Sequence, residues 1–211
     1  MYNQETGALF LNETKGTLEA AYSYLGYSVA SVKGMNGQHL YVAGAPRHSQ
    51  TGQVLVFQAG TSVKIKQHLA GKQLGSYFGS ELCSLDINND NVTDYLLVGA
   101  PFFHVQGEEG MVYIYQLNDK RISGKDVLLE PLYFGQSVAG SSDVDTDGIL
   151  DITVGAQDNV VVLSSRPVIN IRTNVTFFPK LVPLSFTTSH EQEKIIQASV
   201  CFTAQSKFAS L

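Results

Sequence analysis

One block recurs three times in this chain, and that recurrence limits the fold more than any other feature of the sequence. The copies open with "YLGYSVA" at Tyr24, "YFGSELC" at Tyr77 and "YFGQSVA" at Tyr133. Each leads to a strand-like run ending in Gly-Ala: "LYVAGAPR", "DYLLVGAPFF" and "DITVGAQ". The spacing is regular. Gly26 and Gly79 lie 53 residues apart, and Gly79 and Gly135 lie 56 apart. Gly44 and Gly99 are separated by 55 residues, and Gly99 and Gly155 by 56. A further apolar strand follows each Gly-Ala: "GQVLVFQ", "GMVYIYQL" and "NVVVLSS". A period near fifty residues, with about four short strands per unit, suits the blade of a β-propeller. The recurring glycines are expected where neighbouring backbones approach closely.

Composition agrees with an all-β chain. There are 19 Gly, 10 Tyr and 11 Phe among 211 residues, with 44% hydrophobic and 16% charged residues. Such a chain forms cores and is not disordered. The formal net charge of −5 argues against a phosphate-binding basic face, so nucleic acid is not an expected partner. The apolar runs fall far short of the roughly 18 residues of a membrane-spanning helix, so no membrane segment is expected in this chain. The opening "MYNQETGALF" has no basic region followed by an apolar one, so no leader peptide is expected from it. Cys83 and Cys201 fall in segments that read as separate domains, and no bond between them is expected. Asn12, Asn91 and Asn174 each begin an Asn-x-Thr triplet, the acceptor pattern for N-glycosylation and a weak pointer to secretion.

The texture changes after Ser165. "RPVINIRTNVTFFPKLVPLSF" alternates like a strand, has prolines and has no Gly, and "KIIQASVCFTAQ" reads as a later strand of the same unit. Residues 1–166 are therefore expected to form the repeat domain, and residues 167–211 the opening of a β-sandwich.

Two of the repeats carry an Asp-rich loop at the same place. These are "DINNDNVTD", Asp86 to Asp94, and "DVDTDGILD", Asp143 to Asp151. Both place oxygen-bearing side chains at positions 1, 3, 5 and 9: Asp86, Asn88, Asp90 and Asp94 in one, Asp143, Asp145, Asp147 and Asp151 in the other. Position 7, Val92 or Ile149, can offer its backbone carbonyl. Position 6, Asn91 or Gly148, is a residue type that tolerates positive φ in a sharp turn. Calcium takes about six to eight oxygens from such groups. Alternate residues of a tightly wound loop can face one ion while the apolar residues between them face the protein. The loop is shorter than an EF-hand and has no flanking helical pattern. Four carboxylates in the Asp143 loop against three in the Asp86 loop predict tighter binding by the former. The bland alternative, an Asx-rich hairpin turn without an ion, is weakened by the occurrence of two loops at equivalent points. The first repeat has "SVKGMNGQH" there, without Asp, so an ion is not required in every blade.

Catalysis finds little support. His39, His48, His68, His104 and His190 are scattered, without metal-ligand or triad spacing. "GQSVAG" at Gly135 is no nucleophile elbow, because its fifth residue is Ala139. No phosphate-binding glycine loop leads from a strand into a helix. "GEEG", Gly107 to Gly110, reads as a hairpin tip with two solvated acids.

These segments resemble the FG-GAP repeats of integrin alpha subunits. The resemblance rests on "YFGSELCSLDINNDNVTDYLLVGAP" and "YFGQSVAGSSDVDTDGILDITVGAQ". "VVVLSSRPVINI" resembles the junction of the propeller with the Ig-like thigh domain, and "SYLGYSVA" and "AGAPR" resemble alpha chains that carry an inserted I domain. Within that group "FFHVQGEEG" resembles the alpha-E type. The resemblance implies an all-β chain with part of a seven-bladed FG-GAP propeller, three blades, followed by the start of an Ig-like β-sandwich. It implies no enzymatic activity. It implies two structural Ca²⁺ ions, one on Asp86, Asn88, Asp90, Val92 and Asp94, the other on Asp143, Asp145, Asp147, Ile149 and Asp151. It further implies an extracellular place at the cell membrane. The implied partners are an integrin beta subunit and, through the complete receptor, an extracellular-matrix or cell-surface ligand.

The chain departs from that family in carrying three repeats, with "YQLNDKRISGKDVLLEPLYFG" passing from a middle repeat to one like the last. Missing neighbours leave apolar blade faces open, so the isolated chain is expected to be marginally stable or prone to aggregate. Two other classes fit the repeats: a secreted or surface FG-GAP protein that binds protein or carbohydrate, and an FG-GAP accessory domain of a hydrolase.

Overall fold

The computed structural model of the chain describes residues 2–3, 8–9, 22–34, 37–106, 108–117, 122–128, 132–166, 169–180 and 196–206. Every extended element among them is antiparallel to its neighbours in its sheet, and no α-helix occurs among the described residues. The chain divides into two compact units, Met1–Ser165 and Arg166–Leu211.

The first unit is built from the repeats. Strands β1 (Tyr2–Asn3) and β2 (Ala8–Leu9) form a small ladder of their own. The first repeat makes a four-stranded sheet of β3 (Val29–Lys33), β4 (His39–Ala45), β5 (Gln53–Gln58) and β6 (Lys64–Ala70). The second makes the same meander from β7 (Glu81–Leu85), β8 (Tyr95–Val105), β9 (Glu108–Leu117) and β10 (Ile122–Leu128). The third has three described strands, β11 (Ser137–Ser142), β12 (Asp151–Ala156) and β13 (Asn159–Leu163). The quoted Gly-Ala runs are β4, β8 and β12, the second strand of each sheet.

Period-two alternation gives each sheet two apolar faces, and the sheets stack through them. Val42, Val54 and Val56 of the first repeat pack against Phe78, Leu96, Val98 and Tyr113 of the second. The opposite face of the second repeat, with Leu85, Leu97 and Val112, packs against Phe134, Ile152 and Val154 of the third. Phe78 and Phe134 are fully buried. The Phe of each Phe-Gly pair thus serves as the plug of an inter-repeat core, and Phe78 meets Tyr113 edge to face at 5.0 Å.

Close backbone approach explains the glycines. A Cβ on Gly44 would collide with the carbonyl oxygen of Gly79 in the next repeat, and a Cβ on Gly99 with that of Gly135. Ser28 Oγ donates to the Gly79 oxygen at 2.7 Å. Within each repeat the Phe-Gly glycine N–H donates to the Gly-Ala carbonyl: Gly26 to Gly44 at 2.8 Å, Gly79 to Gly99 at 3.0 Å, Gly135 to Gly155 at 3.2 Å.

One local expectation fails. Glu108 and Glu109 do not sit at a hairpin tip. They lie in β9, paired with Val105 and His104. The β8–β9 ladder runs on through both acids, and Glu109 approaches His104 Nδ1 at 3.7 Å.

The second unit holds β14 (Ile169–Phe178) and β15 (Gln197–Ser206), an antiparallel pair in register from Ile169↔Ser206 to Phe178↔Gln197. Ile171, Phe177 and Phe202 are exposed on it. An isolated two-stranded sheet has little stability of its own.

Candidate metal centre

The two Asp loops occupy the ends of the first strands of their repeats, between β7 and β8 and between β11 and β12. The bonds that backbone N–H groups within each loop donate to its side chains coincide. The first aspartate accepts from the N–H of positions 5 and 6: Asp86 from Asp90 (3.1 Å) and Asn91 (2.7 Å), Asp143 from Asp147 (3.2 Å) and Gly148 (2.8 Å). Position 3 accepts from the N–H of position 5, Asn88 and Asp145 each at 3.2 Å. Position 5 accepts from the N–H of position 7, Asp90 from Val92 at 2.9 Å and Asp147 from Ile149 at 2.8 Å. Position 9 accepts from the N–H of position 2, Asp94 from Ile87 at 3.0 Å and Asp151 from Val144 at 2.8 Å.

The backbone winds left-handed at two points in each loop. Asn91 has φ 64° and Gly148 φ 86°, as position 6 demands. Position 4, Asn89 at 53° and Thr146 at 62°, does the same. That second turn was not legible from residue type, because Thr is β-branched and disfavours this region.

In the second loop the wiring gathers charge. One carboxylate oxygen each of Asp143, Asp145 and Asp151 lies within 4.8 Å of the others. Ligands on opposite sides of a calcium ion, each about 2.4 Å from it, are about 4.8 Å apart. The three carboxylates therefore fit one divalent ion. Among the described residues no other set of three or more His, Cys, Asp or Glu side chains converges in this way. Asp147 stands outside the triad and is exposed, its Oδ1 turned to the Ile149 N–H. In the first loop, the Asn88 amide donates to Asp90 Oδ2 at 2.9 Å.

Asp151 anchors the site. It is buried, and its carboxyl is held below the usual carboxylate range, chiefly by the N–H groups of Val144 and Ser165. Ser164 Oγ donates to Asp145 Oδ2 at 2.8 Å, tying the segment that follows β13 to the loop. The loops also link repeats. Thr93 N–H donates to the Lys33 carbonyl at 2.8 Å, the Lys33 N–H returns to Thr93 Oγ1 at 3.0 Å, and Leu150 N–H reaches the Ile87 carbonyl at 3.4 Å.

The apolar residues between the ligands do not behave alike. Ile149 is buried and Ile87 packs against the core shared with the third repeat, but Val144 is 54% exposed. The difference follows from position. Ile87 is covered by the succeeding repeat, and Val144 has no succeeding repeat beside it.

The opposite ends of the same strands form an aromatic rim, which the sequence reading passed over. Tyr24, Tyr77 and Tyr133, the residues two before each repeat glycine, all adopt positive φ, 59°, 61° and 56°. In each turn the tyrosine carbonyl accepts from the N–H three residues on, Tyr27, Ser80 or Gln136, at 3.0–3.1 Å. Aromatic rings then run from repeat to repeat: Tyr27 to Tyr77 at 5.5 Å, Tyr77 to Phe102 at 5.5 Å, and Phe102 to Tyr133 at 5.6 Å. Arg47 lies 5.0 Å from the Tyr24 ring centre, beside an open cleft lined by Tyr22, Arg47, Gln50 and Tyr77. The recurrence of Tyr two places before Gly was the signal available in the sequence.

Of the other sequence sites, Asn12 and His190 lie outside the described residues. Cys83 and Cys201 are both free, the one partly buried and the other exposed. Among the described residues no helix is long and apolar enough to cross a membrane.

Comparison with known proteins agrees with the repeats. Residues 78–115 match the FG-GAP repeat family. The chain is 33% identical to mouse integrin alpha-E over 266 residues, covering 88% of this chain and 23% of that protein. It is 32% identical to human integrin alpha-11 over 267 residues, covering 92% of this chain and 22% of the relative. Bovine integrin alpha-2 is 43% identical over 143 residues, covering 64% of this chain and 12% of the relative. The chain thus spans under a quarter of the length of these relatives. The aligned span of 266 residues with alpha-E exceeds the 211 residues of the chain, so that relative has segments inside the matched span that this chain lacks.

Proposed function

We propose that this chain, which carries FG-GAP repeats and is homologous to integrin alpha subunits over most of its length, is an alpha-chain segment of a cell-adhesion receptor, held together by structural calcium and without a catalytic role. The observation that carries the proposal is the matched wiring of two Asp loops in successive FG-GAP repeats, one of which converges three carboxylates. One Ca²⁺ is held by Asp86, Asn88, Asp90, Asp94 and the Val92 carbonyl. The other is held by Asp143, Asp145, Asp147, Asp151 and the Ile149 carbonyl. Each ion relieves repulsion among carboxylates and fixes a hairpin that hydrogen-bonds to the repeat before it.

Residues 1–166 form a partial FG-GAP propeller, and residues 167–211 open the Ig-like thigh domain. The receptor segment faces the extracellular side of the cell membrane. An integrin beta subunit docks on the aromatic rim, remote from the calcium loops. Exposed aromatics beside an arginine have the make-up of an interface core. Ligand, on the matrix or on another cell, is bound by the complete receptor.

Coexpression of the tagged full chain with integrin beta-subunit ectodomains tests the pairing. Retention of a beta ectodomain in calcium, abolished by Tyr77→Ser together with Phe102→Ser, is expected. Failure of every beta ectodomain to co-purify overturns the proposed pairing.

A further inference from the structure

Each joint between repeats has a glycine at the residue just before the cross-strand partner of the Gly-Ala alanine. Register fixes this position. Gly52 precedes Gln53, the partner of Ala45, and Gly110 precedes Met111, the partner of Ala100. Both glycines bridge the phenylalanine of the next Phe-Gly pair, Gly52 with Phe78 and Gly110 with Phe134. A Cβ on either would collide with that phenylalanine's backbone. The equivalent residue of the third repeat precedes Asn159, the partner of Ala156. It is Asp158, and it keeps the positive φ of its counterparts, 54° against 86° and 91°.

The rest of the joint is intact at both ends of the array. At Gly155 the three atoms nearest to an added Cβ all belong to Ser137, the counterpart of the Ser28 that holds the incoming carbonyl at Gly44. Val160 and Val162 are 71% and 47% exposed, where their counterparts Val54, Val56 and Val112 are buried. At the other end, no described residue comes within 4 Å of a Cβ on Gly26, whereas Gly79 and Gly135 abut the preceding repeat. Tyr27 and Val29 beside it are exposed.

We infer that Asp158 ends the array. Its side chain stands where the backbone of a further Phe-Gly strand would lie, so the third repeat cannot accept the first repeat of a second copy of this chain. Two exposed and complementary ends would otherwise make a head-to-tail contact, the kind that propagates into open chains of molecules when it does not close. Aspartate suits the task. It tolerates the left-handed turn better than most residues, it overfills the glycine slot, and a docked strand would bury its unpaired charge.

Sedimentation velocity of the full chain in calcium tests this, comparing the native chain with Asp158→Gly and with Asp158→Gly combined with Gly155→Val. Circular dichroism confirms that each variant is folded. Asp158→Gly is expected to self-associate at least tenfold more tightly than the native chain. The added Gly155→Val, which blocks the carbonyl seat, is expected to reverse the gain. Native-like sedimentation of folded Asp158→Gly overturns the inference, as does self-association in Asp158→Gly that Gly155→Val leaves untouched.

Discussion

Replacing Gly99 by alanine isolates the contribution of the joint between the second and third repeats. Gly99 has no positive φ, so the new methyl group brings no backbone strain of its own. Its Cβ would fall inside 3.0 Å of the Gly135 carbonyl oxygen and 3.2 Å from Glu81 Cβ. The obstructing oxygen is backbone, fixed by the Phe134 plug beneath it, and it cannot swing aside like the end of a long side chain. Overfilling a packed site costs about 1–3 kcal/mol, and a rigid obstacle belongs in the upper part of that range. The loss of chain freedom in the unfolded state returns about 0.4–1 kcal/mol. The net destabilisation is about 1–2 kcal/mol, a fall in Tm of roughly 2–8 °C for a chain of this size. Gly60→Ala is the control, since that Cβ meets nothing within 4 Å and φ is not positive. Thermal melts by circular dichroism in saturating calcium provide the comparison. If Gly99→Ala melts with or above Gly60→Ala, the joint does not depend on close backbone approach and the reasoning is refuted.

Other outcomes follow from the same packing. Phe134→Ala, at a fully buried plug, is expected to destabilise by about 3–5 kcal/mol, measured by urea titration; a loss below 1 kcal/mol would contradict its role. Burial, and secondarily the Glu81 charge, pushes the Cys83 thiol up, so less of it is thiolate at neutral pH. Cys83 is therefore expected to react with a thiol reagent much more slowly than the exposed Cys201, and equal rates would contradict the packing of β7 against the third repeat. Competition between the loops should favour the one with more carboxylates: the Asp143 loop is expected to fill at lower calcium than the Asp86 loop, as followed by terbium luminescence in single-loop variants.

Much of this architecture was legible because backbone constraints recur visibly. Gly26, Gly79 and Gly135 mark one set of close approaches, and Gly44, Gly99 and Gly155 mark the set that receives them. The Asp loops were legible because side chains at positions 1, 3, 5 and 9 share one wiring whatever the residues between them. What stayed hidden depends on neighbours in space. Val144 and Ile87 are alike in sequence context, yet one is exposed and the other packed, because only one has a following repeat. Spacing groups Asp147 with the other three aspartates, and it did not show that Asp147 Oδ1 accepts from the Ile149 N–H while oxygens of Asp143, Asp145 and Asp151 converge. Tyr24, Tyr77 and Tyr133 marked the start of each block in the sequence, but their left-handed turns, which carry them to the rim, did not show there. Strand register, and not residue type, aligns Asp158 with Gly52 and Gly110.

The central proposal is that the two Asp loops are calcium sites, and counting bound ions tests it most directly. Isothermal titration calorimetry of the calcium-free chain is expected to give two Ca²⁺ per chain. Asp145→Ala should leave one, because it removes a triad carboxylate from the second loop and leaves every hydrogen bond of the first untouched. A stoichiometry that Asp145→Ala does not change, or no calcium binding by the native chain, would contradict the assignment.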